Sequence, residues 1–124
     1  MGFNLSFTPR DGYLEIGVAG EWSLDSLYEL IDATRRETER TGLSRVLCDG
    51  RGMTGHPTEM ARFKAGVRTA EVLGAKIRVA LVSRPEIITR FGENAAVNRG
   101  ASLKVFADPA EALAWLMSGT PPGG

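Results

Sequence analysis

The sequence predicts a single α/β domain: a mixed five-stranded sheet, begun by an N-terminal hairpin and continued by strand-helix units, with four helices. Three observations predict it. Two short stretches near the N-terminus alternate apolar and polar residues, as half-buried strands do. Amphipathic stretches begin at Ser23, Pro57, Pro85 and Asp108-Pro109, and the first three close at Gly42, Gly74 and Gly100. Short apolar runs lie between them, so strand and helix alternate once the hairpin is complete. The domain is expected to span residues 1–118. Residues 119–124 have no means of burying surface and are expected to form a flexible tail.

Each element has its own warrant. Phe3, Leu5 and Phe7, then Leu14, Ile16 and Val18, are the apolar sides of two strands joined by the turn Thr8-Pro9-Arg10-Asp11-Gly12. Ser23 caps a helix whose stripe is Leu24, Leu27, Tyr28 and Ile31. Arg45-Val46-Leu47-Cys48-Asp49 reads as a short buried strand, followed by a Gly-rich turn. Pro57 opens a second helix with its stripe at Met60, Phe63, Val67 and Ala70. Ile77 and Val79 to Val82 form a nearly continuous apolar strand, of the kind covered on both faces. Pro85 opens a third helix carrying Ile87, Ile88, Phe91 and Ala95. Leu103, Val105 and Phe106 form the last strand, and Asp108-Pro109-Ala110-Glu111 is a capping box for a helix carrying Ala112, Leu113, Leu116 and Met117. Trp115 falls off that stripe, which favours the edge of the core over a cover for an apolar pocket.

Composition removes several function classes. The 124 residues carry 15 basic and 15 acidic groups, so a general nucleic-acid binder is not expected. A single cysteine, Cys48, excludes an intramolecular disulfide and a thiolate metal cluster. No apolar run reaches the ~20 residues of a transmembrane helix and no signal-peptide core is present, so the expected location is the cytoplasm. Charge is nevertheless uneven: residues 1–50 hold five basic and nine acidic groups, residues 51–104 ten and four. The basic middle is expected to be a solvated face. If clustered, it could meet an acidic partner.

Gly50-Arg51-Gly52-Met53-Thr54-Gly55 has the spacing of a dinucleotide-binding turn, and Arg84 ends the following strand. The domain has no room for a second mononucleotide half, and His56-Pro57 follows where helix and strand should pack closely. A Gly-rich turn is the better reading, and no cofactor is expected. Thr54, His56 and Thr58 still place polar groups around a helix start. His56 is the sole histidine, without a second imidazole or thiolate at ligand spacing, so neither a metal nor a hydrolytic triad is expected. Glu93, Asn94, Asn98 and Arg99 crowd the end of the third helix, where they either satisfy its last carbonyls or rim an apolar cleft.

The run from Leu103 to Leu116, Leu-Lys-Val-Phe-Ala-Asp-Pro-Ala-Glu-Ala-Leu-Ala-Trp-Leu, together with the stretch Phe91 to Gly100, resembles the SpoIIAA-like group of small bacterial domains, also described as STAS or Sec14-like. The resemblance covers about residues 10–117 and implies a mixed sheet with helices on both sides. In anti-anti-sigma factors of this fold, a strand-ending Asp precedes, by about nine residues, an Asp-Ser pair whose Ser is phosphorylated. Asp49 matches the first Asp, and Pro57-Thr58 stands where the pair would be, making Thr58 the candidate phospho-site. The Sec14-like side implies an apolar or lipid ligand between helices and sheet, with peripheral membrane association. The expectation is therefore a non-catalytic regulatory or interaction module for a partner protein, the alternative being a carrier or sensor of a small apolar ligand. Candidate binding residues are Asp49, Arg51, Thr54, His56, Met60, Phe63, Arg84, Phe91 and Asn94. An exposed edge strand in the hairpin leaves room for a homodimer.

Overall fold

The computed structural model describes residues 2–118, so the tail expected over residues 119–124 lies outside the described residues. In chain order the elements are β1 (Asn4–Pro9), β2 (Leu14–Glu21), α1 (Leu24–Thr41), β3 (Arg45–Thr54), α2 (Glu59–Leu73), β4 (Arg78–Val82), a 3-10 turn (Pro85–Ile87), α3 (Phe91–Val97), β5 (Ser102–Phe106) and α4 (Pro109–Met117). They build one five-stranded sheet in the order β1-β2-β3-β4-β5. The hairpin strands β1 and β2 are antiparallel, and the other neighbours are parallel.

The hairpin turns where Gly12 adopts φ +86, and Phe7 lies opposite Ile16. That register puts the apolar positions of both strands on one side. Leu14, Ile16, Val18, Val46, Cys48 and Val79 form the larger core with Ile31 of α1 and Leu73 of α2. The alternate residues Leu47, Ala80 and Val82 face the other way and pack on Ala112 and Leu116 of α4. Three helices therefore cover one face and α4 alone covers part of the other. Trp115 sits at the edge of this smaller cluster, 5.7 Å from Phe106 between ring centroids and under the Arg78 guanidinium.

Four expectations need correction. The Gly-rich stretch is not a turn: β3 runs through it to Thr54, with a register shift where Gly17 and Ala19 of β2 face Asp49 and Gly52. Glycine is required there because a Cβ on Gly52 would lie 2.6 Å from the Val18 carbonyl oxygen. Pro57 does not open α2; Thr58 is its N-cap, accepting from the Ala61 N–H at 3.1 Å. The buried side of α2 is Ala61, Gly66, Thr69 and Leu73, so the expected stripe is displaced and Met60 is 61% exposed. Pro85 opens only a 3-10 turn, and α3 begins six residues later, after Arg90 takes the left-handed conformation (φ 67). The expected C-terminal features of that helix are present: Gly100 has φ +96 and Arg99 donates to the Ala95 carbonyl at 3.2 Å.

Candidate functional site

The candidate residues fall into two groups. Asp49 shares the face of Leu47, which α4 covers, and Arg51 closes on it with Nε–Oδ1 2.9 Å and Nη2–Oδ2 2.8 Å. The guanidinium holds the Asp49 carboxyl below its ordinary range, and the field of Asp108, the N-cap of α4, also reaches Arg51. This ion pair is thus a feature of the α4 side of the sheet.

The extra residue in β3 reverses which side the following residues take. Met53 consequently faces the α1 and α2 side, where it lines a pocket. The chain then crosses from β3 to α2 through Gly55, whose φ of +85 and contact with Trp22 leave no room for a side chain. A Cβ there would lie 2.7 Å from Trp22 Cδ1. Arg84, at the end of the neighbouring strand, fastens this crossing by donating from Nη2 to the carbonyls of Met53 (3.1 Å) and Gly55 (3.0 Å). Its other terminal nitrogen meets Glu86 at 3.2 Å. Thr54, His56 and Thr58 are exposed along the crossing.

Beyond Thr58 the surface turns apolar. Met60 stands on the first turn of α2, with Phe63 one turn on. Phe91, 43% exposed, opens α3, and its ring centroid lies 5.9 Å from that of Phe63. The Arg99 guanidinium lies 5.0 Å from the Phe63 centroid on the same surface. On the other flank of α2 a shallow groove is lined by Tyr28, Phe63, Lys64, Val67, Arg68 and Glu71, with Arg68 tied to Asp32 at 3.0 Å. The structure therefore brings Phe63 and Phe91 together, with Met60 one turn before Phe63 on α2 and Thr58 at the N-cap of that helix. Asn94, exposed on α3, is on the helix that borders it. Asp49 and Arg51 are not part of this group.

Beneath α2 lies a largely apolar, partly open pocket of about 180 Å³, bordered by α1, α2, residues 85–93 and strands β3 to β5. Leu30, Ile31, Cys48, Leu73, Leu81 and Val105 contribute walls, and Ile87 and Ile88 contribute from the segment before α3. Met60, Phe63 and Phe91, three of the candidate binding residues, lie outside it. The one thiol, Cys48, is pushed up to about 12 by burial, aided by the charge of Asp49, so it stays protonated and inert as a nucleophile. The pocket and the segment over it escaped the sequence reading. The signal that could have found them is the small residue Gly66 within α2, which lets α3 approach closely.

Among the described residues no group of three or more His, Cys, Asp or Glu side chains could hold a metal ion. No described helix is long and apolar enough to cross a membrane.

No family model and no curated protein matches this chain. Solved structures do share its fold. An anti-sigma factor antagonist from Mycobacterium paratuberculosis superposes with a TM-score of 0.66 at 16% identity, over 94% of this chain and 96% of its own. An uncharacterized protein of the DUF3478 family with a SpoIIAA-like fold, from Shewanella loihica PV-4, gives 0.58 at 21% identity, over 93% of each chain. The architecture is thus the SpoIIAA-like α/β fold, as the resemblance in the sequence implied.

Proposed function

We propose that this chain, a domain with the SpoIIAA-like fold, is a non-catalytic regulatory module that binds a partner protein through the surface running from Thr58 over Met60 and Phe63 to Phe91. One observation carries the reading. Phe91, one of the four large apolar side chains that are exposed among the described residues, meets the Phe63 ring at 5.9 Å between centroids, and Met60, another of the four, stands on α2 one turn before Phe63. An exposed apolar group of this kind is characteristic of interaction sites, with aromatic and Met side chains as anchors. Lys64 and Arg99 flank it, so a partner segment combining apolar and acidic residues suits it best. The solved anti-sigma factor antagonist of the same fold is consistent with a regulatory role.

Thr58 is the position where regulation is placed. Its hydroxyl is exposed and caps a fifteen-residue helix. A phosphate there would add negative charge at the positive end of the helix dipole, two residues from Met60. A catalytic reading has less to rest on, because the Cys48 thiol is buried and protonated and His56 is exposed with no hydrogen bond among the described residues.

The test places a photo-crosslinking phenylalanine at position 60 and, as a control, at position 111 on α4. A discrete adduct from position 60 alone identifies a partner, which is then purified and its affinity measured. Met60→Lys and Phe91→Ser should each weaken that affinity at least tenfold with the fold unchanged by circular dichroism. Intact mass of the same cell-derived protein reports phosphate on Thr58. Equal labelling from both positions, or full affinity in both variants, would overturn the reading.

A further inference from the structure

We propose that two copies of this chain pair antiparallel through their β1 edges, with Leu5 opposite the partner's Leu5, so that two five-stranded sheets become one. The contact involves neither α2 nor α3, the elements of the partner-binding reading above.

The backbone comes first. The Arg10 N–H donates to the Tyr13 carbonyl at 2.8 Å, which closes the hairpin turn and fixes its phase. Bonded pairs with β2 then recur at Thr8–Glu15, Ser6–Gly17 and Asn4–Ala19. Leu5 and Phe7 therefore turn their N–H and carbonyl groups to the open edge, with no bonding partner among the described residues. Phe3 continues the phase beside Gly20. Pro9 has no N–H and closes the ladder at that end. With Leu5 opposite the partner's Leu5, Phe3 falls opposite the partner's Phe7, and every outward residue exchanges both of its bonds without calling on Pro9. A register with Leu5 opposite the partner's Phe7 would set Phe3 against the partner's Pro9, where a donor is missing.

The side chains are self-complementary in the first register. Phe3, Leu5 and Phe7 are half-buried against the larger core, and pairing adds an aromatic cross-strand contact between Phe3 and the partner's Phe7. On the other face the exposed Asn4 meets the partner's exposed Ser6. Residues 2–9 carry no charge, so no like charges oppose each other across the two-fold axis. Edges that stay single are blunted by charged side chains, bulges or cover. Strand β5 is of that kind: Glu93 accepts from the Val105 N–H at 2.6 Å and Arg90 donates to its carbonyl. Strand β1 keeps an unbroken register with β2, and Pro9 blunts only its far end. One ladder of this length falls short of the ~1,600 Å² of a standard interface, so the dimer is a weak one.

The experiment is sedimentation of the full chain alone from about 10 μM to about 1 mM, the range of weak dissociation constants. The expected result is a reversible rise toward twice the monomer mass. Amide hydrogen exchange at the two ends of the range locates the contact: Leu5 and Phe7 should slow as concentration rises, with Met60 unchanged. Asn4→Lys combined with Ser6→Lys sets like charges across the two-fold axis and should weaken association at least tenfold. Asn4→Lys combined with Ser6→Glu sets opposite charges there and should restore it. Should either variant fail to fold, exchange in the wild type still decides. A chain that stays monomeric throughout overturns the dimer. Association that leaves Leu5 and Phe7 exchange unchanged overturns the edge, and equal weakening in both variants overturns the register. Failure of crosslinking at position 60 bears on none of these readouts.

Discussion

Asp49 accepts three hydrogen bonds from a single residue: the backbone N–H of Arg51 at 3.1 Å, and Nε and Nη2 of the same side chain at 2.9 and 2.8 Å. A two-residue loop of covalent chain enforces this, so little further ordering is needed to hold the fork on the carboxylate. The side-chain bonds lower the folded pKa of Asp49 first, and the backbone bond and the charge add to them against the opposing effect of burial. A carboxyl whose folded pKa lies below its unfolded one contributes stability above the ordinary carboxylate range. That contribution is lost as the pH falls through the folded value. Arg51→Met should therefore return Asp49 toward its ordinary range in a carboxyl-detected NMR titration. The variant should also lose less stability than the wild type between neutral pH and about pH 3 in urea denaturation. Identical losses in the two proteins would remove this pair from the acid response. The pair's place on the α4 side also separates it from Thr58, so Arg51→Met is expected to leave the Met60 surface unchanged.

α2 and α3 meet backbone to backbone. A Cβ on Gly66 would lie 2.4 Å from the Gly92 carbonyl oxygen and 3.0 Å from Ala95 Cβ, and one on Gly92 would lie 2.9 Å from the Arg62 carbonyl oxygen. Neither obstacle is the flexible end of a side chain, so Gly66→Ala should separate the helices and cost about 2 kcal/mol, within the 1–3 kcal/mol usual for overpacking. Urea denaturation checks it, and a loss under half a kcal/mol would mean that the crossing adjusts freely. The same crossing explains which elements were legible. The strands, Ser23, the Gly42 stop and the Asp108 cap follow from alternation and punctuation, which are local. Helix α3 does not. Arg62, thirty residues earlier than Gly92, takes the Ile87 carbonyl, and Arg90 reaches across to Val105, so a helix opened at Pro85 is cut short by partners that proximity in sequence does not reveal. The Gly-rich end of β3 misled for a related reason. Glycines there serve close approach to β2, not a turn. Of the candidate site, the residue types at the start of α2 are readable, but the stripe through Met60 is not the inward one, because the true inward face, Ala61, Gly66 and Thr69, has small or polar residues that hydropathy overlooks.

On the scale of the molecule, an open sheet has two edges, and each is a template for another chain. One of them, β5, is occupied from within the domain. Val105 pairs in register with Leu81 of β4, yet its N–H is taken by Glu93 Oε2 at 2.6 Å and its carbonyl by Arg90, which also meets Glu93 at 2.9 Å. Two side chains from the start of α3 thus stand where an added strand would bond. Arg90 holds the only positive φ among the described non-glycine residues, a conformation costing on the order of 1 kcal/mol, and the edge cover is what that cost maintains. The opposite edge, β1, keeps a sheet neighbour on one side alone. Replacing Arg90 and Glu93 together by Ala should therefore expose the Val105 amide, visible as faster hydrogen exchange at that residue, and give concentration-dependent association in sedimentation that the wild type lacks through this edge. Because residues 85–93 also wall the pocket, the same variant should loosen Ile87 and Ile88, and exchange should rise along the whole segment but not in β1. Unchanged protection at Val105 would mean that the edge is shielded by something other than these two side chains. Edge cover, pocket wall and outer apolar surface would then be separate features rather than three uses of one short segment.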